Sequence, residues 1–296
     1  MSRQSRSLRI NATFRTVLWL TVLPFALYAL LRLFEYVQVF QPRSDLVYRP
    51  QTIHPLAKDV YFKSGDQYRL NAWFFPAAPS SAWKDWVLLI SHGNAGNISY
   101  RMELYEAWLG EGFNVFAYDY RGYGLSSGRP SESGTYEDVT SAYHWLIGQG
   151  FDPYKIIAFG ESLGAAVATD LASREPLAAL VMQSTFTRIV DIGKELFPWL
   201  PVETVSTIRY DTHSKLPEIR VPVFILHSRQ DTMIPFRHAE KNFAACPEPK
   251  QLLEISGDHN DGISGIQTLY RTHIETIKKA LAPHRIPPPE TADQSL

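Results

Sequence analysis

The sequence predicts an α/β fold in which a mainly parallel sheet carries helices on both faces. Short apolar runs bounded by turn residues alternate with stretches of helical spacing along the body of the chain. The run Trp86–Ser91 is apolar almost throughout, as are strands buried on both faces of a parallel sheet. Strands and helices that alternate in this way build a parallel sheet with crossover helices. In such sheets ligands bind at the carboxyl ends of the strands, so polar residues that follow strands are the candidates for function.

The predicted elements begin with an antiparallel pair of strands, Val60–Lys63 and Leu70–Phe75, joined through a turn signal at Gly65-Asp66. The other predicted strands are Trp86–Ser91, Asn114–Tyr118, Lys155–Phe159, Ala179–Gln183, Val223–His227 and Lys250–Ile255. The predicted helices are Arg101–Leu109, Thr135–Ile147, Gly164–Ser173, His238–Ala245 and Gly265–Leu281. Residues 185–217 show no regular pattern and are expected to form a small apolar cap, with ordinary packing in the core as the alternative.

Composition narrows the class of protein. A chain of 296 residues with 45% hydrophobic content suits one large domain with appendages. Its 29 Lys+Arg and 30 Asp+Glu leave no excess of positive charge to attract nucleic acid. Cys246 is the single cysteine, so an intrachain disulfide is excluded. Because no Cys/His cluster has ligand spacing, we expect no metal site.

The N-terminus carries basic residues followed by an apolar run. Four arginines precede the run Val17–Leu31, which is shorter than the roughly 20 residues that a bilayer requires. If Arg32 reaches the interface, the span can extend to Phe40 with some tilt. We expect a signal anchor with a cytoplasmic N-terminus by the positive-inside rule, which puts the body on the non-cytoplasmic side, the periplasm in a bacterium.

Two alternatives to the anchor stay open. A cleaved signal peptide lacks a convincing cleavage site after the run. An amphipathic helix packed on the soluble domain would explain the charges of Arg32 and Glu35. The domain plan that follows is 1–16 basic segment, 17–40 transmembrane anchor, 41–58 connector, 59–283 catalytic domain with the cap at 185–217, and 284–296 disordered tail.

The strongest chemical signal is Gly160-Glu-Ser162-Leu-Gly164. It fits G-x-S-x-G directly after a predicted strand and directly before a predicted helix, which is the context this motif requires. The two glycines remove side chains that would collide at a sharp turn, and the helix aims its N-terminus at a developing oxyanion. We therefore expect Ser162 to be a nucleophile.

A serine hydroxyl needs a base, and the base needs an orienting acid. Of the nine histidines, His259 fits the base best, because it lies in a late loop directly after a strand. Asp231 follows the strand Val223–His227, and the chain order Ser, Asp, His matches a known triad arrangement. Asp258 and Asp261 are rival acids, although neighbours in a tight loop point poorly at the imidazole.

The oxyanion hole requires two backbone N–H donors. Leu163, which follows the nucleophile, is expected to supply one donor. The loop His92–Asn97 follows an early strand, and Asn94 is our choice for the second donor. Asp119 ends another predicted strand, and we expect it to hold the loop that begins at Arg121.

Several blocks resemble the membrane-anchored "alpha/beta hydrolase domain-containing" proteins. They are His92-Gly-Asn-Ala-Gly-Asn97, Asp119-Tyr-Arg-Gly-Tyr-Gly-Leu-Ser-Ser-Gly128, Gly160-Glu-Ser-Leu-Gly164, Gln230-Asp231 with Ile234-Pro235, and Gly257-Asp-His-Asn-Asp261. The similarity covers roughly residues 46–283. It implies the α/β-hydrolase fold with a short cap, an N-terminal transmembrane helix and a triad that matches Ser162, Asp231 and His259. Some animal relatives suggest hydrolysis of acyl esters or thioesters.

The function expected from these residues is acyl transfer to water through an acyl-enzyme, with no cofactor and no metal. A small cap beside a membrane tether favours an acylated or lipid-like small-molecule substrate. A peptidase of the prolyl-oligopeptidase type shares the triad order but carries an extra domain. A membrane-anchored scaffold that keeps the fold without turnover is the alternative of another class. The sequence leaves the oligomeric state open.

Overall fold

The computed structural model describes residues 3–65, 67–261, 263 and 265–285, with the side chains of 3–17, 284 and 285 excepted. The helices are α1 (Arg3–Val39), α2 (Pro50–Ile53), α3 (Met102–Gly110), α4 (Glu132–Gly148), α5 (Leu163–Ala172), α6 (Ile189–Leu196), α7 (Val202–Val205), α8 (Arg237–Ala245) and α9 (Gln267–Leu281). The strands are β1 (Gln41–Pro42), β2 (Lys58–Ser64), β3 (Tyr68–Phe75), β4 (Val87–Ser91), β5 (Ala95–Gly96), β6 (Asn114–Tyr118), β7 (Ile156–Glu161), β8 (Ala179–Gln183), β9 (Val223–Ser228) and β10 (Lys250–Ile255).

Within the described residues, eight strands form one sheet in the order β10-β9-β8-β7-β4-β6-β3-β2. The strands from β10 to β6 are parallel, whereas β3 runs antiparallel to both β6 and β2. The predicted α/β fold and the antiparallel pair at its start are therefore confirmed. Asp66 of the predicted turn lies outside the described residues.

Each face of the sheet carries its own apolar core, because successive side chains of a strand point to opposite faces. Leu89 of β4 packs with α4, α5 and α8, whereas its neighbours Leu88 and Ile90 pack with α3 and α9. Helices thus cover both faces, and the carboxyl ends of the parallel strands stay free to carry the site.

Three regions differ from the sequence-based expectation. Helix α4 begins at Glu132, three residues before the predicted Thr135, because Ser131 caps it by accepting a hydrogen bond from the Gly134 N–H at 3.1 Å. Segment 185–217 contains the short helices α6 and α7. At the C-terminus, a 3₁₀ turn continues the helical chain to Arg285, and the rest of the predicted disordered tail lies outside the described residues.

Helix α1 has two parts with different surroundings. The stretch Leu18–Val39 is long and apolar enough to cross a membrane, and it is the one such helix among the described residues. Its first part is exposed, with Leu20 and Phe25 more than two-thirds accessible, whereas Val39 and the following Phe40 are buried in the body. After α1, the short strand β1 pairs in parallel with β5. The predicted connector therefore begins with a contact to the loop that follows β4.

Candidate active site

Ser162 lies on the sharp turn between β7 and α5. Its φ of 53° is in the left-handed region, which non-glycine residues adopt only where the surrounding structure enforces it. A Cβ on Gly160 would collide with the Gly164 carbonyl, and a Cβ on Gly164 would collide with the Ser91 carbonyl of β4. Both glycines are thus required by close backbone approach, which is why the turn leaves a readable motif in the sequence.

Two side chains from distant loops converge on this serine. The Nε2 atom of His259 lies 3.0 Å from the Ser162 hydroxyl, and its Nδ1 atom lies 2.7 Å from Oδ2 of Asp231. These distances are hydrogen bonds that join a hydroxyl, an imidazole and a carboxylate in series, which is the order required of a nucleophile, a base and an acid. The rivals point elsewhere: Asp261 accepts the Asp258 N–H, and Asp258 accepts backbone and hydroxyl groups.

Asp231 is held in one orientation by its own loop. Its Oδ1 atom accepts the backbone N–H groups of Met233 at 3.0 Å and Ile234 at 2.7 Å, which leaves Oδ2 for His259. Burial lowers the pKa of the neighbouring His227, which is therefore neutral near neutral pH. The Nε2–H of His227 donates to the Ile234 carbonyl at 2.8 Å and lies 3.5 Å from Oδ2 of Asp231.

Asp258 has a role that sequence reasoning missed. Its Oδ1 atom accepts the N–H and the hydroxyl of Thr232, both at 2.8 Å, and also the N–H of His259 at 2.8 Å. The Gly257 N–H donates to the Gln230 side chain at 2.8 Å. These contacts tie the loop of His259 to the loop of Asp231. The signal available in the sequence was the carboxylate directly before the histidine.

The two expected oxyanion donors line the same cavity as Ser162. Leu163 is the first residue of α5, and the first N–H groups of a helix have no acceptor within the helix. Asn94 is fixed through its carbonyl, which accepts the Gln41 N–H at 3.0 Å and the Tyr123 hydroxyl at 2.8 Å. Both backbone segments thus border the cavity that Ser162 lines.

The loop of Asn94 is supported from beneath by buried polar groups. Oδ1 of Asp119 accepts the Ile98 N–H at 2.8 Å and lies 3.4 Å from Nε2 of His92. The Asp119 backbone carbonyl accepts the Ser126 hydroxyl at 2.8 Å. Asp119 therefore holds two loops. The expectation that Asp119 holds the loop beginning at Arg121 covers only part of its role, because Asp119 also binds the Ile98 N–H. The Arg121 side chain itself is bound by Asp138.

A cavity of about 400 Å³ adjoins Ser162 and is lined mainly by apolar side chains. Segment 185–217 supplies much of its wall, including Ile192 and Phe197, and α1 supplies Leu31, Phe34 and Val39. The contribution of α1 was not predicted from the sequence. Among the described residues, no group of three His, Cys, Asp or Glu side chains could hold a metal ion.

The last turns of α1 are bound to segment 185–217 by polar contacts as well. Glu35 accepts the Thr207 N–H at 2.8 Å and the Ile208 N–H at 3.1 Å, and it also contacts the Ser206 hydroxyl. Arg32 donates to the Thr207 hydroxyl at 2.6 Å and pairs with Glu35 at 2.7 Å. The charges that interrupt the apolar run therefore have partners in the body, as the packed-helix alternative requires of this part of α1.

Comparison with known proteins agrees with this architecture. A model of the alpha/beta hydrolase fold matches residues 87–207. Rv2307c of Mycobacterium tuberculosis is 38% identical over 225 residues, which are 75% of this chain and 79% of the relative. YfhR of Escherichia coli K12 is 34% identical over 83% of this chain and 89% of its own length. The human alpha/beta hydrolase domain-containing protein 17C is 32% identical, over 83% of this chain and 71% of its own.

The chain therefore belongs to the alpha/beta hydrolase family, and this membership supports a hydrolase. Among solved structures, the esterase PF2001 of Pyrococcus furiosus superposes with a TM-score of 0.67 at 22% identity, covering 81% of this chain and 98% of the esterase. At that identity the likeness shows the fold alone.

Proposed function

We propose that this chain is a membrane-anchored serine hydrolase that cleaves an acyl ester or thioester through Ser162, Asp231 and His259. The observation that carries the proposal is the pair of hydrogen bonds at His259, with Nδ1 2.7 Å from Asp231 and Nε2 3.0 Å from Ser162. An imidazole held in this way has its proton on Nδ1 and a free lone pair on Nε2, which is the tautomer a general base needs.

The reaction then proceeds in two halves. The Ser162 hydroxyl oxygen attacks the acyl carbonyl carbon while Nε2 of His259 takes its proton. The backbone N–H groups of Leu163 and Asn94 donate to the oxyanion that forms. As the tetrahedral intermediate collapses, His259 returns the proton to the departing alcohol or thiol. Water then attacks the acyl carbonyl carbon of the acyl-enzyme while the same nitrogen takes one of its protons. As the bond to the Ser162 oxygen breaks, His259 returns that proton to this oxygen and the acid is released. No cofactor takes part in these steps.

The apolar cavity beside Ser162 indicates the substrate class. Its lining by Ile192, Phe197 and other apolar side chains suits an acyl chain rather than a charged group. Every methylene buried there adds about 0.8 kcal/mol of binding free energy. A small molecule with one apolar acyl chain is therefore the substrate we propose.

The decisive test is labelling of the full-length protein with a fluorophosphonate. Wild-type protein should be labelled, and Ser162→Ala should not. The kcat of Ser162→Ala on p-nitrophenyl esters should be lower than that of the wild type by a factor of about 10⁴ to 10⁶. Ser99→Ala is a matched control, since Ser99 is a buried serine within a 3₁₀ turn, and its hydroxyl donates to the Asn97 side chain and accepts the Val47 N–H. Labelling that survives in Ser162→Ala would refute the assignment. Faster turnover of aminoacyl amides than of esters would favour a peptidase, and no labelling at all would favour a scaffold.

We further propose that α1 spans a membrane once, with the arginines of residues 3–15 on the cytoplasmic side and the catalytic domain on the other. The length and apolar character of Leu18–Val39 support the span. Membrane-permeant and impermeant fluorophosphonates on intact cells test the orientation. Labelling of Ser162 by both reagents is expected, and labelling by the permeant reagent alone would reverse the proposed topology.

A further inference from the structure

We propose that α1 is part of the substrate site itself, and that an acyl chain reaches Ser162 from the bilayer through the contact between α1 and segment 185–217. We call this contact the seam and define it by Leu31 and Phe34 of α1 and by Leu196 and Phe197 of the segment. The inference rests on the proposed function and narrows its substrate to an acyl ester dissolved in the membrane.

The first argument is that α1 forms a wall of the acyl cavity. Leu31 and Phe34 line the same cavity as Ser162, opposite side chains of α6. The Phe34 ring also meets the Phe197 ring edge to face, with 5.2 Å between the centroids. An acyl chain bound to Ser162 would therefore touch α1. A helix that served only as a membrane tether would make no such contact.

The second argument is that the residues directly after α1 are hydrogen-bonded to the loop of Asn94. The Gln41 N–H donates to the Asn94 carbonyl at 3.0 Å, and the Arg43 N–H donates to the Gly96 carbonyl at 3.1 Å. One stretch of chain thus contacts both the acyl cavity and the loop that faces the reacting carbonyl. The position of α1 and the geometry of the site are coupled.

The third argument comes from the length of the uninterrupted apolar run in α1. The run Val17–Leu31 is roughly 22 Å long at 1.5 Å per residue, whereas the hydrocarbon core of a bilayer is about 30 Å thick. The helix can cross only if the turns around Arg32 and Phe34 enter the membrane. Because these turns are packed on segment 185–217, that segment must approach the hydrocarbon with them.

The exposed surface next to the seam fits this position. Trp199 is 75% exposed and Leu196 is 52% exposed, so segment 185–217 presents two large apolar side chains on its surface close together in the chain. Tryptophan is enriched where proteins cross the membrane interface. Leu196 also lines the cavity, so the cavity wall reaches the surface beside α1. The seam thus connects the active site with the place where lipid would lie.

The first experiment measures acyl-chain selectivity in full-length protein in detergent, with p-nitrophenyl esters from acetate to laurate. Each methylene that enters the cavity should raise kcat/KM about fourfold, and Phe34→Ala should lower the laurate-to-acetate ratio by about tenfold or more. Leu33→Ala is the matched control, because Leu33 is the adjacent α1 residue and is 57% exposed. Its ratio should equal that of the wild type. Phe34→Leu, which keeps an apolar side chain, should give an intermediate ratio and serves if the alanine variant does not fold.

The second experiment tests the entrance and separates a bilayer source from an aqueous one. For each variant, turnover of p-nitrophenyl laurate in phosphatidylcholine proteoliposomes is divided by turnover of the same ester in detergent. A carboxylate at the interface should keep the seam out of the lipid, so Trp199→Glu should lower this quotient by about tenfold. Tyr154→Glu is the control, since Tyr154 is a 66% exposed aromatic residue just before β7, away from the carboxyl ends of the strands.

Unchanged ratios in both Phe34→Ala and Trp199→Glu would overturn the inference. If fluorophosphonate labelling and acetate hydrolysis still depended on Ser162 in that case, the proposed hydrolase function would stand without it. Loss of the proposed function would show separately, as labelling that does not depend on Ser162.

Discussion

Replacing Asp231 by Asn removes one charge and almost no volume, and it should abolish turnover through the tautomer of His259. In the native site Oδ1 of Asp231 accepts two backbone N–H groups, from Met233 at 3.0 Å and Ile234 at 2.7 Å. An amide NH₂ in that position would leave both donors without an acceptor, at a cost of about 1–3 kcal/mol each. The amide oxygen therefore keeps this position, and the NH₂ group faces Nδ1 of His259.

An NH₂ donor at Nδ1 forces the imidazole proton onto Nε2, which then points at Ser162 as a donor and takes no proton from it. We expect kcat/KM on a p-nitrophenyl ester to fall by about 10⁴, which is roughly 5 kcal/mol of transition-state stabilisation. The rate of fluorophosphonate labelling should fall in parallel, since it depends on the same base. Thermal unfolding should stay close to that of the wild type, because the buried contacts at Oδ1 persist.

Asp258→Asn is the matched control for this prediction. It removes an equal charge one residue from His259, but Asp258 is exposed and its Oδ1 contacts with Thr232 and the His259 N–H can be kept by an amide oxygen. Its kcat/KM should fall by about tenfold at most, since exposed hydrogen bonds contribute about 1 kcal/mol. An equal loss in both variants, or near-native turnover in Asp231→Asn, would contradict the assignment of Asp231 as the orienting acid.

Two further predictions concern the turn and the single thiol. Gly164→Ala should destabilise the protein by about 3 kcal/mol and reduce labelling, because the added Cβ would collide with the backbone of β4. Gly148→Ala is its control: a Cβ at this position at the end of α4 meets open space, so the variant should be more stable than the wild type by about 0.5–1 kcal/mol. Thermal denaturation of both variants measures these changes. Burial raises the pKa of Cys246 to about 12, so the thiol is not ionised near neutral pH and should not react with maleimide. Maleimide should therefore leave esterase activity intact. Inactivation of the wild type that Cys246→Ala prevents would contradict this.

The convergence of Ser162, Asp231 and His259 could be predicted because it depends on local rules. The turn at Ser162 needs glycines at 160 and 164 for steric reasons, so the requirement is written into five consecutive residues. Asp231 and His259 follow directly after β9 and β10, and in a parallel sheet those ends meet at one edge. A coarse reading of strands was sufficient to bring together residues that are 97 positions apart.

The supporting contacts could not be predicted in the same way. Asp258 was judged only as a rival acid, because its backbone partners in the Thr232 loop leave no mark in the sequence. Helix α7 has only four residues, which are too few to show a helical period. The pair Arg32 and Glu35 was visible, but its partners lie more than 170 positions away.

The residues that could be predicted from the sequence and those that could not lie in different parts of the site. The reacting groups sit on strand ends whose positions the sheet fixes, so any chain with this fold and these motifs can present them. The cavity is instead closed by α1 and segment 185–217, which contact each other through Phe34 and Phe197. Because an acyl chain is recognised by the volume and the apolar surface around it, the proposed role of setting its length falls to residues such as Phe34, which carry no catalytic signature. Mutagenesis aimed at substrate specificity should therefore begin at the seam, and the variants should be assayed in a membrane.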